Sequence, residues 1–284
     1  MFRFDRALTL SLFGPLTSLT ITKGPHIPIL MYHSISDDRE DGVHPYYRVN
    51  ASPAVFAEHM KYLQEQHFNV IALDQVRVRL NSCDSNKRKF VAITFDDGFH
   101  DFNKLAFPIL KQHGFPATVF LPAGLIGDQH RKFNGKDLLT WDEVRDLRKE
   151  GVVFGSHSMT HRQLKLIGRD EVKQEIVQSK KILEDRLGEQ IDSFSYPYAF
   201  PQEDGEFTRY VKDILLESGY RYGVSTRIGT TSLHDFVMYM KRIPVNSCDD
   251  LILFRAKLDG AYNWLYAFQN VNKQLKKYSL RGEK

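Results

Sequence analysis

The stretch that decides the fold is Phe90-Val-Ala-Ile-Thr-Phe-Asp-Asp-Gly98. Its first part is apolar, β-branched and aromatic, which predicts a buried strand, and two carboxylates with a glycine mark the end of that strand. In folds built from βα units, the carboxyl ends of the strands meet at one side, where functional groups are placed. Asp-Asp-Gly is also an ordinary turn-forming sequence, so a purely structural role stays open at this point.

Further apolar runs of the same character alternate with helical patterns along the chain, which predicts βα units around a mainly parallel sheet. The longest helical pattern, Asp170–Leu187, carries apolar residues at helical spacing and is expected to cover the sheet from outside. Seven strands favour a barrel. The predicted strands are Ile27–Tyr32, Phe90–Phe95, Thr118–Leu121, Val152–Gly155, Ser193–Tyr196, Tyr222–Ser225 and Val237–Ile243.

Composition excludes several classes of protein. Of 284 residues, 42% are hydrophobic and 26% are charged, which excludes a disordered or low-complexity chain. A formal net charge of +4 is too small for a typical nucleic-acid binder, so we expect no nucleic-acid partner. The two cysteines, Cys83 and Cys248, are too few for a disulfide framework.

The chain is predicted to have one domain with two short terminal segments. Residues 27–260 contain no repeat or linker that would divide them. Residues 1–26 are apolar, yet the run is too short to cross a bilayer and has no clear signal-peptide cleavage pattern. Residues 261–284 are predicted to form a basic amphipathic helix that packs on the body or contacts a membrane or a partner. We therefore expect a cytoplasmic protein with peripheral membrane contact, with secretion to the cell envelope as the alternative; no oligomeric state is predicted.

A second polar cluster, which contains His157 and His161, follows the predicted strand that ends at Gly155. One helical turn would place both imidazoles on one side. Together with Asp97 they form a three-ligand set that leaves coordination positions for water, as a catalytic metal site requires. A divalent cation there would lower the pKa of bound water and polarise a carbonyl oxygen, the two difficult steps of amide hydrolysis. Asp96 is predicted to be the base that accepts the proton.

Three motifs follow one another along the chain: Thr94-Phe-Asp-Asp-Gly98, His157-Ser-Met-Thr-His161 and Phe194-Ser-Tyr-Pro-Tyr198. Taken together, they resemble the polysaccharide deacetylases with a NodB-homology domain, which form carbohydrate esterase family four. The resemblance implies a distorted (β/α)7 barrel, a divalent metal that is most often Zn²⁺, and removal of N-acetyl groups from an amino-sugar carbohydrate substrate. It implies the same base and the same three ligands, and it adds the Tyr198 backbone N–H as a donor to the oxyanion.

Two positions depart from the family pattern. The family commonly has an arginine where Ser195 stands, and Arg242 is a hypothetical replacement, against an ordinary structural or surface role. The C-terminal Leu-x-His segment that supplies the family's general acid is also missing from this sequence. Instead, Ile27-Pro-Ile-Leu-Met-Tyr-His33 resembles the rearranged subgroup that deacetylates poly-N-acetylglucosamine, whose acid lies on an N-terminal strand. His33 is therefore predicted to protonate the departing amine.

Other readings stay open from sequence alone. The displaced acid and Ser195 are compatible with a catalytically inactive glycan-binding barrel, and two imidazoles with one carboxylate also describe the non-haem iron oxygenase triad. The long segments 33–51 and 122–140 are predicted to line the site. Four aromatic residues beside the motifs could stack on sugar rings or belong to the core: Phe99, Trp141, Tyr196 and Phe200.

Overall fold

A closed ring of parallel strands lies at the centre of the protein. The computed structural model describes residues 3–19, 25–82 and 89–279. The strands pair in chain order from the second to the seventh, and the first strand closes the ring between the seventh and the second. The distorted (β/α)7 barrel predicted above is thereby confirmed. Its strands are β1 (Ile29–Tyr32), β2 (Phe90–Phe95), β3 (Thr118–Leu121), β4 (Val153–Ser156), β5 (Ser193–Ser195), β6 (Tyr222–Ile228) and β7 (Met240–Pro244).

Closure of the ring rests on β1. Each of its four residues pairs with a residue of Ala92–Phe95 in β2, and Leu30 pairs with Ile243 of β7 on the other edge. Because every pairing in the ring is parallel, all carboxyl ends of the strands lie on the same side. The residues that follow β1, β2, β4 and β5 are therefore brought together although they are far apart in sequence.

Helices surround the ring because the strands are apolar on both faces. All six residues of β2 are buried, as expected when parallel strands face a core on one side and helices on the other. An N-terminal helical run consists of Phe4–Leu8, a π-helical turn Thr9–Phe13, and Gly14–Leu19. The other helices are Pro53–Glu65, Gln75–Asn81, the π-helical turn Phe102–Ala106 leading into Phe107–His113, Trp141–Lys149, Arg169–Leu187, Gly205–Glu217, Leu251–Leu258 and Trp264–Ser279.

The inside of the ring is packed with side chains. Ile29, Ala92, Phe120, Val224 and Met240 come from five different strands and are buried in one cluster. A (β/α) barrel filled in this way has no open channel through its middle. A functional site must therefore lie at an end of the ring.

Two predicted strands begin two or three residues later in the structure than the sequence predicts. Pro28 has no N–H, and it divides the predicted strand Ile27–Tyr32: His26–Ile27 pairs antiparallel with Thr231–Ser232, and the barrel strand starts one residue after the proline. Val237–Tyr239 is a 3-10 turn rather than the start of a strand. An apolar aromatic run has the same composition in a buried turn as in a strand, so composition does not distinguish them.

Several short strands escaped prediction. Asn69–Ile71 pairs with the first half of β2, where β3 does not reach. Lys132–Phe133 and Lys136–Asp137 form a hairpin, and Ser34–Ile35 pairs with Asn50–Ala51. These strands have two or three residues each, too few to show a periodicity.

The N-terminal helical run packs against the end of the chain. Phe13 stacks on Trp264, with ring centroids 5.0 Å apart, and the Tyr262 hydroxyl donates a hydrogen bond to Asp5 at 2.7 Å. The predicted segments 1–26 and 261–284 are thus in contact in their described parts. In those parts, no helix combines the length and the apolar character needed to cross a membrane. Cys83 lies outside the described residues.

Candidate active site

Two adjacent carboxylates leave β2 in different directions. The Asp96 N–H still donates to the Tyr32 carbonyl oxygen at 3.0 Å, as if the strand continued. Asp97 then adopts a left-handed backbone with φ of 71°, which turns its side chain away from that of Asp96. Gly98 is also left-handed, and a Cβ there would lie 2.5 Å from Leu121 Cδ2. The glycine of the motif is therefore required by both the backbone conformation and the packing.

The two histidines lie at the end of β4, in an irregular loop rather than in the predicted helical turn. The loop contains two left-handed residues, Ser158 at φ 64° and His161 at φ 55°. Non-glycine residues seldom adopt this conformation, and such residues cluster at functional sites. The imidazoles of His157 and His161 still face each other, with ring centroids 4.7 Å apart. The prediction that they share one side is right, but its helical explanation is wrong.

The predicted ligand atoms converge on one point. Asp97 Oδ1 lies 3.2 Å from His161 Nε2 and 3.5 Å from His157 Nε2. Bonds of about 2.1 Å in tetrahedral geometry would place ligand atoms about 3.4 Å apart. The three side chains are therefore already spaced as the ligands of a small divalent ion.

The protonation of His157 supports the same fit. Its Nδ1 faces the Ser195 carbonyl oxygen at 2.8 Å, so Nδ1 carries the proton that it donates. Burial lowers the pKa of His157 to about 4, which leaves the imidazole neutral with a lone pair on Nε2. That lone pair faces the buried Asp97 Oδ1 at 3.5 Å. Two lone pairs turned toward each other need a cation between them, so the residues fit a divalent metal.

The second carboxylate is paired with a buried arginine. Arg242 Nη1 and Nη2 donate to the two oxygens of Asp96, each at 2.7 Å. The arginine is fully buried, so the surface alternative raised for it above is wrong. Burial tends to raise the pKa of Asp96, but Arg242 outweighs it and holds that pKa well below the ordinary carboxyl range. Asp96 is therefore an ionised, rigidly oriented hydrogen-bond acceptor.

Ser195 completes this arrangement. Its hydroxyl donates to Asp96 at 3.2 Å and accepts from Arg242 at 3.0 Å. Arg242 also donates to the Ser225 carbonyl oxygen at 3.2 Å. The guanidinium from β7 thus reaches the carboxylate beside Ser195, the residue at which the resemblance implies an arginine. Sequence proximity gave no signal for this contact, because 146 residues separate the two partners.

The predicted site residues line one cleft of about 520 Å³. The two segments predicted to surround it both contribute, since Asn50 and Lys136 lie in its wall. Neither residue was singled out from the sequence. The predicted residues that line the cleft are His33, Asp96, Asp97, His157, His161 and Tyr198.

Tyr198 has an unexpected position. Its backbone is left-handed, with φ of 57°, and its ring lies 4.7 Å from that of His161 at the cleft. The side chain is 49% exposed, so the phenol itself forms part of the rim. The sequence comparison with the family had pointed only to the backbone N–H of this residue.

The aromatic residues proposed for sugar stacking are mostly core residues. Phe99, Trp141, Tyr196 and Phe200 are each no more than 3% exposed. All four belong to the main hydrophobic core, and Phe99 and Tyr196 also line the cleft. The core alternative is therefore right for Trp141 and Phe200.

Comparison with known proteins agrees with this geometry. Residues 84–223 match the family model described as polysaccharide deacetylase. The chain carries a polysaccharide deacetylase domain. The matched part of the deacetylase domain contains both carboxylates, both histidines and Tyr198, whereas His33 and Arg242 lie outside it. The family resemblance and the enzyme class predicted from the sequence, a glycan N-deacetylase, are confirmed at that level.

Relatives of the deacetylase domain have similar names. YxkH of Bacillus subtilis, named as a polysaccharide deacetylase, is 27% identical over 79% of this chain and 73% of its own length. The poly-beta-1,6-N-acetyl-D-glucosamine N-deacetylase of Staphylococcus aureus strain MRSA252 is 23% identical over 69% of this chain and 68% of its own. Streptococcus pyogenes deacetylase PplD, solved in complex with acetate, shares the fold with a TM-score of 0.69, at 23% identity over 82% of this chain and 99% of PplD.

Proposed function

We propose that this protein is a divalent-metal-dependent hydrolase that removes N-acetyl groups from an amino-sugar glycan or a glycan precursor. The observation that carries the proposal is the convergence of Asp97, His157 and His161 beside a second, arginine-paired carboxylate in one cleft. Three ligands of this kind hold a catalytic metal with open positions. Zn²⁺ is the proposed ion because nitrogen and carboxylate ligands at tetrahedral spacing suit it.

Asp96 is the proposed general base. Because Arg242 depresses its pKa, Asp96 is ionised at neutral pH but is too weak a base to deprotonate free water. Asp97, His157 and His161 would hold a divalent ion, which when bound would lower the pKa of a water molecule and polarise the acetamide carbonyl. Asp96 then needs only to accept and hold the proton while Arg242 keeps its carboxylate in place.

His33 is the proposed general acid. It follows β1, and it lines the cleft together with both carboxylates. Breakage of the amide C–N bond requires a proton on the leaving nitrogen, and an imidazolium supplies one near neutral pH. The Tyr198 backbone N–H is proposed to donate to the developing oxyanion. The products are a free amine on the sugar and acetate.

The proposal is tested by acetate release. Metal-stripped and zinc-restored protein is incubated under anaerobic conditions with oligomers of N-acetylated amino sugars, and acetate is quantified. We expect release only with zinc, and none from Asp96→Asn loaded with the same amount of metal. Sugar binding by metal-loaded protein without any acetate would contradict the hydrolase and favour the inactive glycan-binding barrel. A turnover that requires oxygen would favour the oxygenase.

We also propose that the protein works at a membrane surface, on the cytoplasmic side, where lipid-linked glycan precursors would meet it. Phe268 and Val271 in the last helix are 54% and 56% exposed, and Phe4 and Leu12 in the adjoining N-terminal run are exposed as well. Residues 272–284 contain five basic residues and one acidic residue. Exposed apolar side chains beside a basic segment favour an anionic bilayer.

Membrane contact is tested by co-sedimentation of the full chain with phosphatidylcholine vesicles that contain or lack 30% phosphatidylglycerol. We expect binding to the anionic vesicles only, weakened by salt and by Phe268→Glu. Val78→Glu is the matched control, because Val78 is also 56% exposed but lies in another helix. Equal binding by the two variants would contradict contact through the last helix. No binding of the wild-type chain to the anionic vesicles would contradict membrane contact itself.

A further inference from the structure

The loop that holds His157 and His161 needs support from outside itself. Two of its residues, Ser158 and His161, have left-handed backbones, and each such residue costs of the order of 1 kcal/mol or more relative to ordinary conformations. Residues 157–163 belong to no helix or strand, although the carbonyl oxygens of Ser158 and Met159 accept from the backbone N–H groups of Ala123 at 3.1 Å and Gly124 at 2.8 Å. Its shape must therefore be imposed by neighbouring groups.

A buried carboxylate provides that support. Glu175 Oε2 accepts hydrogen bonds from the backbone N–H groups of Met159 at 2.9 Å and Thr160 at 2.8 Å. Glu175 Oε1 accepts a third, from the Thr160 hydroxyl. The side chain lies on the inner face of the helix Arg169–Leu187 and is only 6% exposed. Three donors at the middle of the loop thus satisfy one buried negative charge.

Two serines extend this support to both histidines. Ser156 Oγ accepts from the Ser158 N–H at 3.2 Å, just after His157. Ser158 Oγ accepts from the His161 N–H at 3.1 Å. Residues 123 and 124 hold the carbonyl side of the loop, and Glu175 holds the N–H groups of the two residues between the serines. Glu175 therefore helps to set the direction in which the chain reaches His161.

The helix that carries Glu175 is itself immobilised by the core. Val172 and Ile176, which flank Glu175 on the inner face, are both fully buried. Residues that do not bind a metal themselves can orient its ligands through hydrogen bonds. A carboxylate on a fixed helix that accepts hydrogen bonds from a strained loop is such an arrangement. Glu175 contacts the loop backbone and the Thr160 hydroxyl. It would therefore act on a bound metal only through the ligands that the loop carries.

We infer that Glu175 is a positioning residue that sets the metal affinity of the site by holding the His157–His161 loop in its ligand-presenting shape. The inference rests on the proposed function, because it concerns the metal that the proposed chemistry needs. Loss of a residue that holds metal ligands in place typically lowers the affinity for the metal about 10- to 100-fold.

The test measures the dissociation constant for Zn²⁺ by chelator competition on the folded full chain, with Co²⁺ absorption as a signature of ligand geometry. We expect Glu175→Ala to weaken Zn²⁺ binding about 10- to 100-fold and to alter the Co²⁺ bands. Glu175→Gln keeps an oxygen for the two N–H groups and an amide for the Thr160 hydroxyl, so it should recover most of the affinity.

Val172→Ala is the control for general destabilisation, since it creates a cavity on the same helix face without touching the carboxylate. It should lower the unfolding midpoint while leaving the Zn²⁺ affinity within about twofold. Wild-type affinity in folded Glu175→Ala, or equal weakening by Val172→Ala, would overturn the inference. A wild-type protein that binds Zn²⁺ but releases no acetate contradicts the proposed function alone, whereas one that binds no Zn²⁺ contradicts both.

Discussion

At the scale of single residues, the chemistry of the site depends on how two adjacent aspartates are separated. Asp97 faces two imidazoles, and Asp96 faces a guanidinium. One left-handed residue between β2 and Gly98 produces this separation. Identical side chains thereby receive different environments, which suit Asp97 to the proposed role of cation ligand and Asp96 to the proposed role of proton acceptor.

Arg242→Met tests the pairing of the base. Burial, the largest influence on the pKa of Asp96, raises it, and Arg242 reverses that effect. Without the guanidinium, we expect the pKa of Asp96 to rise and the acidic limb of the kcat/KM profile to move to higher pH. Removal of one partner of a buried pair also destabilises a fold by about 3–5 kcal/mol at neutral pH.

The stability that Arg242→Met loses relative to the wild type has a defined pH dependence. Because the folded-state pKa of Asp96 is depressed, its contribution is complete above the ordinary aspartate value of about 3.9 and is lost as the pH falls through the lower folded value. Urea denaturation between pH 7 and pH 3 therefore captures the onset of that loss. Arg145→Met removes a half-exposed arginine from a surface pair. It should change neither the pH profile of kcat/KM nor the pH dependence of stability. An acidic limb that stays in place in Arg242→Met would contradict the role of the pair.

His33→Ala tests the proposed acid. We expect a loss of about 10²- to 10⁴-fold in kcat, the usual contribution of general acid catalysis, with unchanged Zn²⁺ affinity because His33 is not a ligand. Acetate release measures kcat, and chelator competition measures the dissociation constant for Zn²⁺. His234→Ala, at an exposed histidine away from the cleft, should retain full activity. Full activity in His33→Ala would remove His33 from the mechanism.

At the scale of elements, close backbone approach fixes the path of β6. A Cβ added at Gly223 would lie 2.5 Å from the Met238 carbonyl oxygen and 3.1 Å from that of Phe194. Both obstacles are backbone atoms, which cannot rotate out of the way as a side chain would. The glycine therefore allows β6 to pass between its neighbours, next to the strand that carries Arg242.

Gly223→Ala should destabilise the protein by about 1–3 kcal/mol, the usual cost of forcing extra volume into a packed interior. Urea denaturation of the metal-free protein measures it. Gly205→Ala is the matched control, because a Cβ there meets nothing within 4 Å and alanine is the better residue in a helix. Equal stability of the two variants would show that the strand has room to shift.

The elements also show where periodicity is informative. The helix Arg169–Leu187 is long enough for its pattern to be read, and the structure places it within one residue of the prediction. The loop after β4 has no period, so the sequence predicted the pairing of its histidines but not the irregular backbone that achieves it. Glu175 could not be recognised as a loop support, because a buried glutamate in a helix has the same sequence context as an exposed one.

At the scale of the whole molecule, a buried charge network joins the N-terminal helical run to residues 249–262. Asp249 is fully buried and pairs with Lys257 at 2.7 Å and with Arg3 at 3.1 Å. Arg3 also pairs with Asp5 at 2.6 Å, and Tyr262 donates to the same aspartate. The N-terminal helical run is therefore fastened by charge as well as by its apolar side chains.

Asp249→Asn should destabilise the protein by about 3–5 kcal/mol, because it leaves the buried ammonium of Lys257 without its carboxylate. Chemical denaturation of the full chain measures the loss. Asp250→Asn is the control: Asp250 pairs with Arg6 at the surface and caps a helix, and asparagine caps equally well. We expect less than about 1 kcal/mol from the control. Similar losses in both variants would contradict a network held by Asp249.

The sequence by itself determined the barrel class, five residues now found in one cleft, and the displaced positions of the acid and the arginine as hypotheses. It could do so because alternating apolar runs and strand-end motifs are local patterns, and a parallel barrel brings all strand ends together regardless of their separation. Only the tertiary structure decided that Arg242 pairs with Asp96, that Glu175 contacts the histidine loop, and that the described parts of the two terminal segments are in contact. Those contacts join residues far apart in sequence, and burial, which local composition does not report, sets their strength.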